Sequence, residues 1–147
     1  MSINFRAKIT LKNDLRKYKS FGESMVEVAR QANALAGLEI RNEAIDLIKQ
    51  NSDGTKVTRY LPKREVFASK PGNPPNADTG RLMQSIKVER DGKATLVGTN
   101  LRYGAHLEFG TKDMEPRPWL SVALAKVAGR LIEIYEIAYK NVLGNLK

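Results

Sequence analysis

The sequence predicts an α+β domain with a long N-terminal helix, a small antiparallel sheet and a C-terminal helix packed on that sheet. Three observations predict it. Apolar residues recur every three or four positions early in the chain, strand-like runs flank a tight-turn dipeptide, and a second helical stripe follows a proline. The chain has 147 residues, which is enough for one domain with one core.

The first run has the periodicity of a half-buried strand. Between Ile3 and Leu11 apolar and polar residues alternate, so one face is apolar and the other is basic. We expect this run to join the sheet. Asn13 or Asp14 can then cap the long helix, in which Gly37 predicts either a kink or a close packing contact.

The helical periodicity ends at Asn51, and turn-forming residues take over. A long flexible loop is the prediction for about residues 52–78, since connections of this length are usually functional or become ordered on binding. The alternative is a hairpin that pairs Val57–Leu61 with Glu65–Ser69. The segment mixes cations with apolar side chains, which suits an assembly element: Lys56, Arg59, Tyr60, Leu61, Lys63, Arg64, Val66, Phe67 and Lys70.

A short helix and an antiparallel hairpin are expected next. Asp78 or Thr79 can cap a helix that runs through Met83. The dipeptide Asp91-Gly92 is typical of a tight turn between two strands. The strands are expected at Ser85–Arg90 and Ala94–Thr99.

A compact turn rich in aromatic residues runs from Tyr103 to Thr111. Gly104 and Gly110 bracket a helical segment of about one and a half turns. Gly110 is expected to end this segment with a positive φ, which other residues adopt with strain.

The terminal helix is expected to begin at Pro118, because proline suits the first turn of a helix. Pro116 and Pro118 hold the intervening Arg117 extended. Trp119 therefore enters the helix at a fixed angle, and we expect it to be buried there. The apolar stripe of this helix continues to a stop at Gly144.

Two motifs in this order resemble a known protein family. The first reads Gly72-Asn-Pro-Pro, then Thr79-Gly80-Arg81-Leu82 and Ser85-Ile86. The second reads Tyr103-Gly-Ala, Glu108-Phe109-Gly110-Thr111, Met114 and Pro116-Arg117-Pro118-Trp119-Leu120 with Ala123-Leu124. Over roughly Pro71–Leu124 the chain resembles the tail-completion, or head-to-tail joining, family of minor tail and neck proteins of long-tailed bacteriophages.

The resemblance implies a structural role in the virion, at the head-to-tail junction or tail end, after assembly in the host cytoplasm. Its implied partners are further copies of itself in a ring and the neighbouring neck, connector or tail-terminator proteins. The residues to which it gives structural roles are Gly80, Leu82, Ser85, Ile86, Tyr103, Glu108, Phe109, Gly110, Thr111, Pro116, Arg117, Pro118, Trp119 and Leu120.

The charge balance favours acidic partners. The formal net charge is +9 and the isoelectric point is about 9.9. The alternative function is therefore a basic nucleic-acid-binding module without sequence specificity, and contact with packaged DNA is compatible with either function. No cysteine is present, and no signal peptide or membrane-spanning run is recognisable, so no membrane partner is expected.

The chemistry of an enzyme has little support in the sequence. His106 and Glu108 are the one close pair of histidine and carboxylate, but residues two apart on a helix do not face each other. Glu108 is instead expected to accept backbone N–H groups of the following turn or to pair with Arg117. The segment from Lys70 to Gly80 is rich in turn residues but lacks the order of a phosphate-binding loop. We expect no catalytic residues, no cofactor and no metal.

Overall fold

The computed structural model describes residues 14–60, 62–91 and 94–144, with residues 14–18 as backbone only. Its elements confirm the α+β class, since a long helix is followed by two small hairpins and further helices. In order they are α1 (Asp14–Lys49), β1 (Gly54–Tyr60), β2 (Lys63–Ser69), α2 (Arg81–Ser85), β3 (Lys87–Asp91), β4 (Ala94–Gly98), α3 (Arg102–Phe109), α4 (Leu120–Ala128) and α5 (Leu131–Leu143). The strand expected at Ile3–Leu11 and the cap at Asn13 lie outside the described residues.

Helix α1 is the element on which most of the described chain packs. Its 36 residues form a rod of about 54 Å. One apolar cluster lies along its middle turns, against α5 and the end of α4, and a second lies along its last turns, against α2 and the start of α4. Ala32 and Ala44 are fully buried in these clusters, and their small side chains let the neighbouring helices approach closely.

Gly37 marks a close packing contact, one of the two outcomes expected for it. A Cβ atom here would lie 2.6 Å from Thr95 Cγ2 and 2.9 Å from Val88 Cγ1. The glycine therefore lets the β3–β4 hairpin lie directly on the helix backbone. One turn further, Arg41 Nε donates to the Ile86 carbonyl oxygen at 3.0 Å and fixes the start of β3.

The β3–β4 hairpin confirms the strand pairing expected around Asp91-Gly92. The two strands pair antiparallel, with Val88 opposite Val97, and both valines are partly buried toward α1. Ser85 belongs to α2, so β3 begins later than the sequence predicted. Gly92 itself lies outside the described residues.

The segment before α2 corrects the loop prediction for residues 52–78. Most of it is a regular hairpin, in which β1 and β2 pair from Gly54 opposite Ser69 to Tyr60 opposite Lys63. The alternative hairpin is therefore the correct prediction, and it needs no docking partner to pair its backbone. Its threonine, valine and aromatic residues favour extended backbone even though cations separate them. Within residues 14–60, 62–91 and 94–144 the strands form two separate sheets of two strands each.

The chain between Lys70 and Gly80 has no regular structure, but hydrogen bonds hold it. Asn76 Nδ2 donates to the carbonyl oxygens of Ser52 at 2.9 Å and Phe67 at 3.0 Å. This one side chain thus joins the end of α1, the hairpin and the following turn. The segment is a fixed connection in the single subunit.

Helix α2 confirms the short helix expected after this segment, but the predicted cap is wrong. Gly80 precedes the helix with φ 75°, and no side chain caps it. The Asp78 carboxylate is engaged elsewhere, because it accepts two hydrogen bonds from Arg64, at 3.0 and 2.9 Å.

The C-terminal region differs from the single helix expected from Pro118 to Gly144. The first helix begins only at Leu120, and the chain breaks at Gly129-Arg130 before α5. The Arg130 N–H donates to the Val127 carbonyl oxygen at 2.8 Å and closes a tight turn. Glycine is a poor helix former, so the break occurs where helix propensity is lowest.

Both terminal helices pack chiefly on α1, which corrects the expected packing across the sheet. Leu124 and Leu131, which belong to the predicted apolar stripe, are exposed. Lys126 Nζ lies 2.8 Å from Glu43 Oε1 and ties α4 to the far half of α1. The buried residues of the two helices are Ala123, Val127, Ile134 and Ala138.

Candidate functional site

The two sequence motifs meet in one region, which we call the motif junction and define by Leu82, Ile86, Glu108, Arg117 and Trp119. Leu82, Ile86 and Trp119 are buried in the same apolar cluster against the last turns of α1. Residues from α2, from α3 and from the start of α4 therefore share one core, although they are far apart in the chain.

Ser85 of the first motif closes the junction on its polar side. Its hydroxyl donates to the Leu82 carbonyl oxygen at 2.7 Å and lies 2.6 Å from Thr99 Oγ1. Because Ser85 donates its one hydroxyl proton to the Leu82 carbonyl oxygen, the Thr99 hydroxyl is the donor in the contact between the two side chains. The end of β4 is thereby fixed to α2.

Glu108 caps helix α4 from α3. Its Oε2 accepts the backbone N–H groups of Trp119 and Leu120, both at 2.8 Å, and its Oε1 accepts that of Ser121 at 2.9 Å. These N–H groups lie at a helix start, where the helix itself supplies no acceptor and where negative charge is favoured. The expected acceptance of backbone N–H groups is confirmed, whereas pairing with Arg117 is wrong.

The protonation of Glu108 follows from the same contacts. Burial of the carboxylate raises its pKa, but hydrogen bonds from the Ser121 side chain and from three backbone N–H groups outweigh burial. The net effect places the pKa of Glu108 below its ordinary value. The carboxylate is therefore ionised at neutral pH and fully occupied in holding α4.

Trp119 is buried as the sequence predicted, with 1% of its surface exposed. Its indole Nε1 donates to the Gly104 carbonyl oxygen at 3.1 Å. A Cβ atom on Gly104 would lie 2.6 Å from Thr99 Cγ2 and 3.2 Å from Leu82 Cδ1, so glycine is needed for α3 to approach. The tryptophan thus joins α3 to α4 by both packing and a hydrogen bond.

Gly110 ends α3 with the positive φ that was expected, at φ 74° and ψ −176°. This backbone region is open almost only to glycine. A Cβ atom would also lie 2.7 Å from the Met114 carbonyl oxygen. The turn then closes with Thr111 and Met114 exchanging backbone hydrogen bonds at 2.8 and 3.3 Å.

We expect Gly110→Ala to lower the free energy of unfolding by about 2–3 kcal/mol, because backbone strain and the contact with Met114 add. Urea unfolding of the two proteins measures this loss. Gly72→Ala is the matched control, since Gly72 also has a positive φ but a Cβ there meets no atom within 4 Å. Equal losses of unfolding free energy in the two variants would show that the close approach of an added Cβ to the Met114 carbonyl oxygen does not destabilise the protein.

Arg117 connects the motif junction to the base of the first hairpin. Its Nε donates to the Ser69 carbonyl oxygen at 3.0 Å, and its backbone N–H donates to the Leu107 carbonyl oxygen at 2.6 Å. Beside it, the Gly72 N–H donates to the Pro116 carbonyl oxygen at 2.8 Å. The second motif therefore fixes the position of the β1–β2 hairpin through its last strand residue.

Other motif residues lie outside the core. Phe109 is 81% exposed, and Tyr103, Thr111 and Pro116 are exposed as well. The side chain of Phe109 therefore adds little to the packing of the core.

The β1–β2 hairpin has two chemically different faces. Opposite residues of an antiparallel pair share a face, so the register places Tyr60 with Lys63 and Lys56 with Phe67 on one side. We call this side the outer face. Tyr60 is 76% exposed and Phe67 is 50% exposed. The outer face consists of Lys56, Thr58, Tyr60, Lys63, Glu65 and Phe67.

On the opposite, inner face the β2 residues Arg64, Val66 and Ala68 are partly buried, whereas the facing β1 residues are exposed. Val57 lies opposite Val66, and Arg59 lies opposite Arg64. Two like charges in this position would repel, but Asp78 bridges Arg64. The hydrogen bond from Arg64 is the largest cause that lowers the pKa of Asp78, and the charge of Arg59 adds to it.

The remaining residues of the predicted assembly segment are distributed along the hairpin. Lys56 forms an exposed ion pair with Glu65 at 3.6 Å. Lys70 is exposed and donates its backbone N–H to the Asp53 carbonyl oxygen at 2.9 Å. Leu61 lies outside the described residues.

His106 and Glu108 lie in different surroundings. His106 is exposed, whereas Glu108 is buried and bound to the start of α4. Among residues 14–60, 62–91 and 94–144 no group of three or more histidine, cysteine or acidic side chains is placed to hold a metal ion. The Gly72 N–H, which a phosphate loop would offer to a ligand, is bonded to Pro116.

Sequence reasoning missed two side chains that build the site. Asn76 was taken only as part of a turn-rich segment and Asp78 as a candidate helix cap, but they bind the hairpin base and Arg64. A usable signal was present, because both residue types often hydrogen-bond nearby backbone or cations in turns.

No helix in the described part of the chain is long and apolar enough to cross a membrane. The chain matches no family model, no curated protein and no solved structure. Its function has to be inferred from its own residues.

Proposed function

We propose that this chain is a structural virion protein of the neck or tail end of a long-tailed phage, where its copies form a ring that completes the tail and joins it to the head. The motif residues support this function because their contacts position other elements. Glu108 holds α4, Trp119 joins α3 to α4, and Arg117 holds the hairpin. Residues that position other elements in this way can build a surface for assembly, and this role requires no catalysed reaction.

The observation that carries the proposal is the outer face of the β1–β2 hairpin. Tyr60 and Phe67 are apolar, largely exposed and fixed in a paired strand whose base is bonded to Arg117. Leaving such side chains in water forgoes burial that stabilises an interface by about 25 cal/mol per Å² of apolar surface. A rigid, prepared apolar surface binds with less loss of entropy than a mobile loop does.

The proposed partners follow from symmetry and charge. Identical subunits that use two different surfaces form a closed ring when the rotation between them closes. The remaining surface can then meet neighbouring neck, connector or tail-terminator proteins. The net charge of +9 favours acidic surfaces on these partners and permits non-specific contact with packaged DNA.

The test uses a phage that lacks its own copy of this gene and is supplied with variants. Tyr60→Ser with Phe67→Ser should leave stability within about 0.5 kcal/mol of the wild type, since both side chains are exposed. Joined particles should fall to background in electron micrographs. The matched control is Leu96→Ser, which removes an equally exposed apolar side chain from the other hairpin and should permit normal joining.

Two outcomes would contradict the proposal. Normal joining with the double variant would show that the outer face is not an assembly surface. The nucleic-acid alternative would gain support if joining stayed normal while the purified chain bound DNA with an affinity that fell steeply with salt. Arg59→Ala with Lys63→Ala should then weaken that binding, whereas Tyr60→Ser should not.

A further inference from the structure

An open apolar groove lies between α1 and α5, away from the motif junction. It has a volume of about 520 Å³, and its apolar lining includes Met25, Val28, Ile132, Tyr135 and Tyr139. Ile132 is 77% exposed and Tyr139 is 49% exposed. Neighbouring apolar side chains that stay in water in one subunit mark a surface for contact with another chain, because their burial would stabilise the contact.

We propose that the β1–β2 hairpin of a second copy of this chain binds in the groove, with its outer face against α5. This contact rests on the proposed function, since a ring of identical subunits requires two different surfaces of one chain that fit each other. The outer face is one of these surfaces. The groove is the concave apolar surface that can receive it.

The net charges of the two elements have opposite signs. The two strands of the hairpin carry four cations and one carboxylate, which gives a net charge of +3. Helix α5 carries Glu133 and Glu136 against Lys140, which gives a net charge of −1. Among the helices and strands that the structure describes, α5 is the one with a net negative charge. Opposite charges favour the hairpin as the partner of α5, whereas two α5 helices would repel each other.

The spacing of the apolar side chains matches as well. Phe67 lies opposite Lys56, so Tyr60 and Phe67 are four positions apart along the hairpin, which corresponds to about 13 Å. The lining of the groove on α5 includes Leu131 and Tyr139, which are about 12 Å apart along the helix. The two aromatic side chains of the hairpin can therefore contact both ends of the groove.

The hairpin and the groove are far apart in one subunit. Val28 in the groove lies about 32 Å along α1 from Lys49, where the helix ends before the hairpin begins. Asn76 and Arg117 hold the hairpin near that end. Tyr60 is 76% exposed, so the outer face is not covered within its own subunit. Two complementary surfaces at separate places let each subunit bind the next in the same way, which is the arrangement that a ring requires.

The absence of cysteine from the chain permits a cross-linking test in assembled particles. A phage that lacks its own copy of the gene is supplied with two full-length variants together, Thr58→Cys on the outer face and Lys140→Cys at the groove rim. Both substitutions leave the apolar side chains of the contact in place. A short bismaleimide is then added to purified joined particles. The matched control replaces Lys140→Cys by Lys87→Cys, which changes another exposed lysine on the β3–β4 hairpin.

We expect covalent dimers that contain one chain of each variant, formed at least about tenfold faster than in the control, because docking raises the local concentration of the two thiols. Equal rates in the two pairs would overturn the proposal while the proposed function stands. Dimers of two Lys140→Cys chains would show that groove binds groove and would overturn it too. Joined particles that lack the chain would contradict the proposed function itself.

A second measurement tests the groove without a cross-linker. Ile132→Ser with Tyr139→Ser should reduce the number of joined particles at least about tenfold while the purified subunit keeps its melting temperature. Ile137→Ser is the matched control, since Ile137 is 51% exposed on the same helix but does not line the groove, and it should permit normal joining. Normal joining in the groove variant would overturn the proposal. The proposed function would still stand if Tyr60→Ser with Phe67→Ser abolished joining in the same assay.

Discussion

Replacing Trp119 with alanine is expected to lower the free energy of unfolding by about 3–5 kcal/mol, the usual loss for a buried large aromatic side chain. The side chain is fully buried in the cluster with Leu82, Ile86 and the last turns of α1. Its removal leaves a cavity at the point where α3, α4 and α1 meet. Urea unfolding followed by far-UV circular dichroism measures the loss without relying on the tryptophan signal.

Trp119→Phe separates the two contributions of the side chain. It keeps an aromatic ring in the cluster but removes the hydrogen bond to the Gly104 carbonyl oxygen, so a smaller loss is expected. The native protein should also emit at short wavelength and resist iodide quenching. A loss under about 1 kcal/mol in Trp119→Ala, within the range of surface substitutions, would contradict burial in a tight core.

Glu108→Ala is expected to lower the free energy of unfolding by about 2–3 kcal/mol, because it leaves three N–H groups at the start of α4 without their acceptor. Glu108→Gln keeps the shape and one acceptor oxygen but loses the charge. We therefore expect an intermediate loss in this variant at neutral pH, measured by urea unfolding.

The pH dependence gives Glu108 a separate signature. Its pKa is lower in the folded protein than in the unfolded chain, so its contribution is complete above the unfolded pKa of about 4.3. That contribution is lost as the pH falls through the lower folded pKa. The difference in stability between the native protein and Glu108→Gln should therefore be constant from pH 7 to about 5 and shrink below it. A difference that stayed constant in acid would show that the carboxylate charge is not what holds α4.

Local patterns were enough to predict several elements. The spacing of apolar residues predicted α1, and Asp91-Gly92 between alternating runs predicted the β3–β4 hairpin. The positive φ of Gly110 and the burial of Trp119 followed from the rigid residues around them. In each case the information lies within a few residues of the feature.

Contacts between distant residues were harder to predict. Arg117 binds the Ser69 carbonyl oxygen, and Glu108 caps a helix that begins in another part of the motif. For Arg117 the sequence shows a cation but not the carbonyl oxygen that it reaches. For Glu108 the sequence indicated backbone N–H groups as partners but not that these groups begin α4. The break at Gly129 was missed because the apolar stripe continues on both sides of it.

The first hairpin was predicted as a loop because its cations hide the strand pattern. Arg59 and Arg64 are tolerable as cross-strand neighbours only because Asp78 is close to them. The acidic residue that balances these charges lies outside both strands. A reading of a few neighbouring residues therefore does not recognise the strands. The exposure of Tyr60 and Phe67 likewise depends on the register of the two strands, which a local window does not show.

The most direct test of the assembly role is the mass of the intact neck complex, isolated from particles and measured by native mass spectrometry. The proposed function predicts several copies of this chain in one species of fixed stoichiometry, and the loss of that species with Tyr60→Ser and Phe67→Ser while the purified subunit keeps its melting temperature. A complex that contains a single copy, or none, would contradict a ring built from this chain. An unchanged complex in the double variant would contradict the role of the outer face.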